Sequence, residues 1–208
     1  MAGTNHDSKM SWAAVVLAAG NSTRMRQHKA LLEFDSQQTF VQKIVREYIS
    51  AGCSHIVVVA NEQNMDLISG QFANPAGHKP ILVLNKHPEY ERFYSVQLGL
   101  KACHTFTKCF LQPCDNPFVN ADLLTGMLQI LEDGSYVAPV YNGKKGHPVL
   151  LGIQIMCELC ASDEINGNLK DFLRTFNCLG FETSDPNILA NINDMNDYQV
   201  YFKRDNLI

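Results

Sequence analysis

The sequence predicts an α/β fold, a doubly wound and mainly parallel sheet covered by helices on both faces, and three observations lead to it. Apolar, β-rich runs alternate with helix-period segments over the first two thirds of the chain, the signature of βαβ units. The strand candidates read as continuous apolar runs rather than alternating ones, as a sheet buried on both faces requires. With 208 residues and 46% hydrophobic content, the chain has enough apolar surface for one substantial core.

In order, Ala13–Leu17 is the first strand, and Phe40–Ala51 the first helix. That helix places Phe40, Ile44, Val45 and Tyr48 on one stripe and stops at Gly52, a suitable residue just past a C-cap. Ile56–Ala60 is the next strand, Met65–Phe72 a helix and Ile81–Leu84 a strand; Val96–Cys103 then forms a helix with Ser95 at its N-cap. Cys109–Gln112 and Tyr136–Val140 are strands on either side of the helix Ala121–Leu131. The alternation breaks at Tyr141-Asn142-Gly143-Lys144-Lys145-Gly146, where Asn-Gly signals a turn, so Pro148–Leu151 is expected to reverse direction and add an antiparallel strand or hairpin in the C-terminal half. Gln154–Ala161 and Leu169–Phe176 read as helices, and a last helix at Asn196–Arg204 closes the unit with Tyr198, Tyr201 and Phe202 facing inward. Residues 1–11 read as a flexible N-terminal tail and residues 12–208 as one domain.

The totals exclude several classes. A net charge of −4 argues against nucleic acid, since neutralising a phosphate backbone needs a basic face and the only dense basic cluster is short. No apolar run reaches the length of about 18 residues that a membrane span needs. Met1–Ser11 is polar and lacks the apolar core of a signal peptide, so a cytoplasmic protein without a membrane partner is expected. The seven cysteines are odd in number and scattered, unlike a disulfide framework, so they are expected to be reduced. Cys157 and Cys160 have metal or redox spacing, but with no second Cys or His pair nearby, packing at i, i+3 is the favoured reading.

In open parallel sheets ligands collect beyond the carboxyl ends of strands, so residues just past each apolar run are the ones to examine. The first such run, Val15-Val16-Leu17-Ala18-Ala19-Gly20, enters a small-residue turn followed by Arg24, Arg26 and Lys29. Small side chains leave backbone N–H groups open to an anion and the cations can add charge-assisted hydrogen bonds, a triphosphate cradle; the plain alternative is a loop whose cations are solvated. Neither a Walker motif nor a dinucleotide fingerprint is present. The second place is Asp115, fenced by Pro113 and Pro117, which could hold a Mg²⁺ whose remaining positions go to phosphate and water, or could serve as a turn aspartate. The third is Ser95, an N-cap that could also touch a nucleobase or ribose. The fourth is Asn193-Asp194, either of which could complete a metal's ligands, with N-capping the safer role for Asp194. Finally, His147 sits in a turn beside Lys144 and Lys145 and could bind the phosphate of a second substrate.

Taken in order, Leu17-Ala18-Ala19-Gly20 with Ser22, Arg24, Met25 and Lys29-Ala30-Leu31-Leu32, then Asp115-Asn116-Pro117-Phe118-Val119, Gly146-His147-Pro148-Val149-Leu150-Leu151, and Asn191-Ile192-Asn193 with Asp197-Tyr198 span almost the whole chain. This set resembles the nucleotidyltransferases that make the nucleotide forms of molybdopterin, and the Gly-His-Pro block favours their cytidylyl branch over the guanylyl one. Arg92 with Ser95-Val96 and Gly99-Leu100 is also similar to the cytidylyltransferases of isoprenoid synthesis. The resemblance implies a Rossmann-like, three-layer fold and a Mg²⁺-dependent transfer of CMP from CTP to the phosphate of molybdopterin, with release of pyrophosphate. Leu17, Ala18, Ala19, Gly20 and Ser95 would contact the nucleotide, Arg24 and Lys29 would hold its phosphates, Asp115 and Asn193 would bind the metal, and His147 would meet the acceptor. A molybdoenzyme or its maturation factor would be the onward partner. The sequence departs from the pattern at Arg26, at Arg92-Phe93 where Gly-Met is common, at Gly167-Asn168-Leu169, and at Asn191. The alternatives are GTP as donor, a sugar or polyol phosphate as acceptor, a non-catalytic nucleotide- or cofactor-binding delivery protein, and a flavodoxin-like regulator, the last leaving the basic loop unexplained.

Overall fold

The computed structural model describes residues 12–20, 25, 27–74 and 79–202. Arg24 and Arg26, the tail at 1–11 and the end of the expected last helix at 203–204 lie outside the described residues.

The strands are β1 (Ala13–Leu17), β2 (Glu33–Asp35), β3 (Gln38–Thr39), β4 (His55–Asn61), β5 (Ile81–Asn85), β6 (Lys108–Pro113), β7 (Ser135–Tyr141), β8 (Lys144–Lys145), β9 (Val149–Gly152) and β10 (Asn177–Glu182). The helices are α1 (Phe40–Ser50), α2 (Met65–Gln71), α3 (Glu91–Lys101), α4 (Ala121–Ile130), α5 (Ile153–Ala161), α6 (Leu169–Leu173) and α7 (Met195–Phe202). The main sheet runs β10-β7-β9-β6-β1-β4-β5, with β8 added beside β7. Pairing is parallel throughout except that β9 is antiparallel to both β6 and β7, and β8 to β7. The expected reversal after Asn142-Gly143 therefore exists as a short hairpin plus one antiparallel strand inside the sheet.

β1 is the centre, flanked by β4 and β6, both parallel to it. Its residues alternate between two cores: Ala14 and Val16 pack with α1, α2 and α4, and Ala13 and Val15 with α3, α5 and α6. All four are fully buried, which explains why the strand sequence shows no polar alternation. The α1 stripe is likewise closed to solvent, and each such apolar side chain contributes about 1.5–3 kcal/mol relative to exposure. The helix starts with the Gln42 side chain accepting from the Thr39 N–H and stops before Gly52, whose φ of +89° suits glycine. No helix among the described residues is long and apolar enough to cross a membrane.

Three differences from the sequence reading matter for the site. Helix α3 begins at Glu91, because Phe93 is buried in the core and anchors the first turn; Ser95 is therefore inside the helix and is not its N-cap. The segment after Leu173 leaves the helix and forms β10, a half-exposed edge strand parallel to β7. A small β2–β3 hairpin presents Phe34 to an aromatic cluster with Phe40, Phe118, Tyr198 and Phe202. Tyr198 and Phe202 face inward as expected, whereas Tyr201 is 39% exposed and only leans on Phe118.

Candidate active site

From β1 the chain moves to β4 and β5 on one side, then returns across β1 to β6 on the other. The crevice beyond the carboxyl ends of β1 and β6 is thus the point where strand order reverses, the usual ligand position in such sheets. Leu17 pairs with Pro113 across these two ends, and the Cys114 N–H donates to the Leu17 carbonyl at 3.2 Å.

The turn after β1 is held from beneath by two buried amides that the sequence reading missed. Asn61 Nδ2 donates to the Ala19 carbonyl at 3.0 Å and Asn64 Nδ2 to the Ala18 carbonyl at 2.8 Å. The two asparagines also brace each other, each backbone N–H donating to the other's Oδ1. The Ala18 N–H donates to the Val59 carbonyl at 2.9 Å. Turning the carbonyls of Ala18 and Ala19 inward fixes the backbone before any ligand arrives, the preorganisation an anion site needs. The available signal was position: Asn61 ends an apolar strand and Asn64 follows at once.

The loop after β6 is fixed by another set of buried amides. Gln112 Nε2 donates to the carbonyls of Pro113 and Asn116, while Asn116 Nδ2 donates to those of Ile188 and Ala190, both at 2.9 Å. The Asp115 carbonyl accepts from the Ile192 N–H at 2.9 Å, so the chain leading into α7 is docked on this loop. Within that chain Asp194 Oδ1 accepts from the N–H groups of Asn196 and Asp197, the capping role expected of it. Asn193 is held by its own N–H donating to the Asp197 carboxylate at 2.8 Å. Stacking of Phe202 on Phe118 and Tyr198 clamps the helix that carries both.

These supports bring three of the expected residues together. Lys29 Nζ lies 2.9 Å from Asn193 Oδ1 and 3.6 Å from Asp115 Oδ2, with the Lys29 and Asp115 side chains only 16% and 14% exposed. Arg92, given no site role in the sequence reading, places Nη2 4.0 Å from the same Asp115 oxygen. One carboxylate and one amide oxygen thus already accommodate a cationic group, the Lys29 ammonium. The same hard oxygen donors suit Mg²⁺ or Mn²⁺. No group of three or more metal-ligating side chains is present among the described residues, so a cation held here would draw further ligands from substrate phosphate and water.

His147 stands beside this cluster. Its N–H donates to the Ile188 carbonyl at 3.0 Å, the same carbonyl that receives Asn116 Nδ2. Gly146 makes this docking possible: a Cβ there would lie 2.3 Å from the Ile188 carbonyl oxygen, and that oxygen belongs to the backbone. Gly146→Ala is therefore expected to lower stability by about 1–3 kcal/mol, read as a shift in the urea midpoint. An unchanged midpoint would mean that the two segments are not held together as described.

The His147 Nδ1 is shut off from solvent and has no hydrogen-bond partner among the described residues. Burial first, and then the Arg92 charge, push the imidazole down from 6.5 to about 4, with Asp115 opposing. His147 is therefore neutral near pH 7. Because the unfolded chain takes up this proton first, stability is expected to fall as pH drops from about 6.5 to about 4, by up to about 3 kcal/mol from this group. Urea midpoints measured across that range should be flatter for His147→Gln than for the parent, and parallel curves would contradict the partly buried, neutral ring.

Ser95 is buried in α3, where its Oγ accepts from Asn85 Nδ2 at 3.0 Å. Asn85 ends β5 opposite Asn61, so Ser95 belongs to the row of polar groups along the strand ends. Lys144 and Lys145 are not drawn in: they pair with β7, Lys145 lies over the Tyr136 ring, and neither pairs with His147 or Asp115 among the described residues. Cys160 packs against the α3–α5 core as the packing reading expects, whereas Cys157 is exposed and takes no part in it.

Residues 14–179 match the family model described as the MobA-like NTP transferase domain. The molybdenum cofactor cytidylyltransferase of Escherichia coli (strain K12) is 24% identical over 186 residues, spanning 88% of this chain and 92% of that protein. Among solved structures, a nucleotidyl transferase from Methanothermobacter thermautotroptrophicus superposes with a TM-score of 0.77 at 22% identity, covering 92% of this chain and 95% of that one. The manganese complex of Rv0371C from Mycobacterium tuberculosis H37Rv superposes with a TM-score of 0.74 at 17% identity, covering 93% and 98% respectively. The chain belongs to the MobA-like NTP transferase family and is a nucleotidyltransferase.

Proposed function

We propose that this enzyme transfers CMP from CTP to the phosphate of molybdopterin, releasing pyrophosphate, with Mg²⁺ as its divalent cation. The observation that carries the reading is the meeting of Lys29, Asp115 and Asn193 at the switch point beside the braced Leu17–Gly20 turn. The cytidylyltransferase relative and the Gly146-His147-Pro148 block favour CTP over GTP, and the manganese complex of a structural neighbour supports a divalent cation.

In this reading Leu17, Ala18, Ala19, Gly20 and Ser95 contact the nucleotide, and Lys29, together with Arg24, holds its phosphates. Asp115 and Asn193 hold the cation, which when bound neutralises charge on phosphate oxygens. His147 meets the acceptor. A phosphate monoester is already largely dianionic at neutral pH, its second pKa being about 6, so its oxygen can attack the α-phosphorus without a general base. Positioning and charge neutralisation are what the protein must supply. The product would pass to a molybdoenzyme or its maturation factor.

The test is incubation with Mg²⁺, molybdopterin and each nucleoside triphosphate in turn, read by pyrophosphate release and product mass. A CMP adduct from CTP alone is the expected result. A GMP adduct would reassign the donor, and turnover only with a sugar or polyol phosphate would overturn the acceptor.

A further inference from the structure

We infer that Arg92 and His147 together form the subsite for the acceptor's phosphate, on the side of Asp115 opposite Lys29; the inference rests on the reading of this site as a nucleotidyltransferase with a phosphate acceptor. The two cations reach the same Asp115 oxygen from different layers of the fold. Lys29 lies in the turn whose Ala30 packs into the core of α1 and α4, whereas Arg92 opens α3, whose Phe93 packs into the core of α5. In-line phosphoryl transfer needs the entering and leaving oxygens on opposite sides of the reacting phosphorus. With Lys29 on the leaving pyrophosphate, the Arg92 side is left for the entering oxygen.

Arg92 suits this role in three respects. At 4.0 Å it contacts Asp115 by charge and is beyond hydrogen-bond reach, and half of its side chain is open to solvent, so its planar fork can take a phosphate bidentately. It sits in the first turn of an eleven-residue helix, where the macrodipole disfavours a cation unless an anion accompanies it. Two cations also face one carboxylate, an excess of positive charge matched to a dianionic ligand.

His147 supplies the second observation. A closed-off ring nitrogen without a partner costs stability unless a ligand pairs with it. The shared Ile188 carbonyl fixes the His147 backbone relative to the Asp115 loop, and the charges of Arg92 and Asp115 both act on its ring.

The experiment uses Arg92→Gln and Arg92→Lys in the full chain. At saturating triphosphate, Arg92→Gln is expected to raise KM for the acceptor at least about tenfold and to leave KM for the triphosphate within about twofold, with Arg92→Lys recovering part of the loss. A rise in the triphosphate KM instead, or no change in either, would overturn the subsite. A second measurement does not depend on the acceptor's identity: phenyl phosphate titrated into the complex with a non-hydrolysable CTP analogue should shift the His147 imidazole resonances in the parent and not in Arg92→Gln. Displacement of the analogue by phenyl phosphate would overturn the inference. Phenyl phosphate binding as expected, with no turnover of molybdopterin by the parent, would preserve the subsite and remove the acceptor assignment alone.

Discussion

Replacing Lys29 with methionine is expected to lower turnover at least about a hundredfold with the fold retained, the loss typical when one preorganised group stops neutralising charge that develops in the transition state. Methionine keeps most of the apolar stem, so packing around Ala30 and Leu32, both buried, is preserved and the effect isolates the ammonium. In the proposed reaction the ammonium would act on the leaving pyrophosphate. Its side chain is 16% exposed, so water screens it little, and its neighbours are fixed, Asp115 by its carbonyl accepting from the Ile192 N–H and Asn193 by its N–H donating to the Asp197 carboxylate. The loss should fall on kcat more than on KM, because pyrophosphate gains charge as it leaves. Steady-state pyrophosphate release, with circular dichroism to monitor the fold, checks this. Turnover unchanged within a few-fold would take Lys29 out of the reaction.

Much of this site was legible because strand ends are legible. β1, β4 and β6 are continuous apolar runs, so Leu17–Gly20 and Asp115 could be placed beyond the carboxyl ends of strands from the sequence. Residues whose roles depend on chain crossings were not. Nothing local shows that Arg92 lands beside Asp115, since that contact follows from α3 starting a full turn earlier than its apolar pattern indicates. Asp194 reads as the cap from the sequence, but only the docking of the chain before α7 shows that the Asn193 amide oxygen meets Lys29. The amides of Asn61, Asn64 and Asn116 read as loop polarity until the carbonyls they serve are known. β10 escaped because Asn177-Cys178-Leu179-Gly180-Phe181-Glu182 is an edge strand, half-exposed and interrupted by glycine.

The arrangement also predicts that Asp115→Asn and Lys29→Met move cation affinity in opposite directions. The Lys29 ammonium bridges Asp115 Oδ2 and Asn193 Oδ1, the two oxygens assigned to the cation, so in the nucleotide-free enzyme Mn²⁺ must compete with a tethered positive charge. A unit charge about 4 Å away is worth roughly 1 kcal/mol in water and roughly 4 kcal/mol near a protein surface. Lys29→Met is accordingly expected to tighten Mn²⁺ binding by about ten- to a hundredfold. Asp115→Asn removes the carboxylate while keeping its shape, and is expected to weaken binding by at least about a hundredfold and to lower turnover by a similar factor. A CTP analogue should mimic the lysine substitution in the parent enzyme, because its phosphates draw Lys29 away and add oxygen ligands of their own. Electron paramagnetic resonance of free Mn²⁺ during titration reads all three without any turnover. If Lys29→Met weakened Mn²⁺ as Asp115→Asn does, the lysine would be helping to build the cation site and not occupying it, and the assignment of these two oxygens would have to be withdrawn.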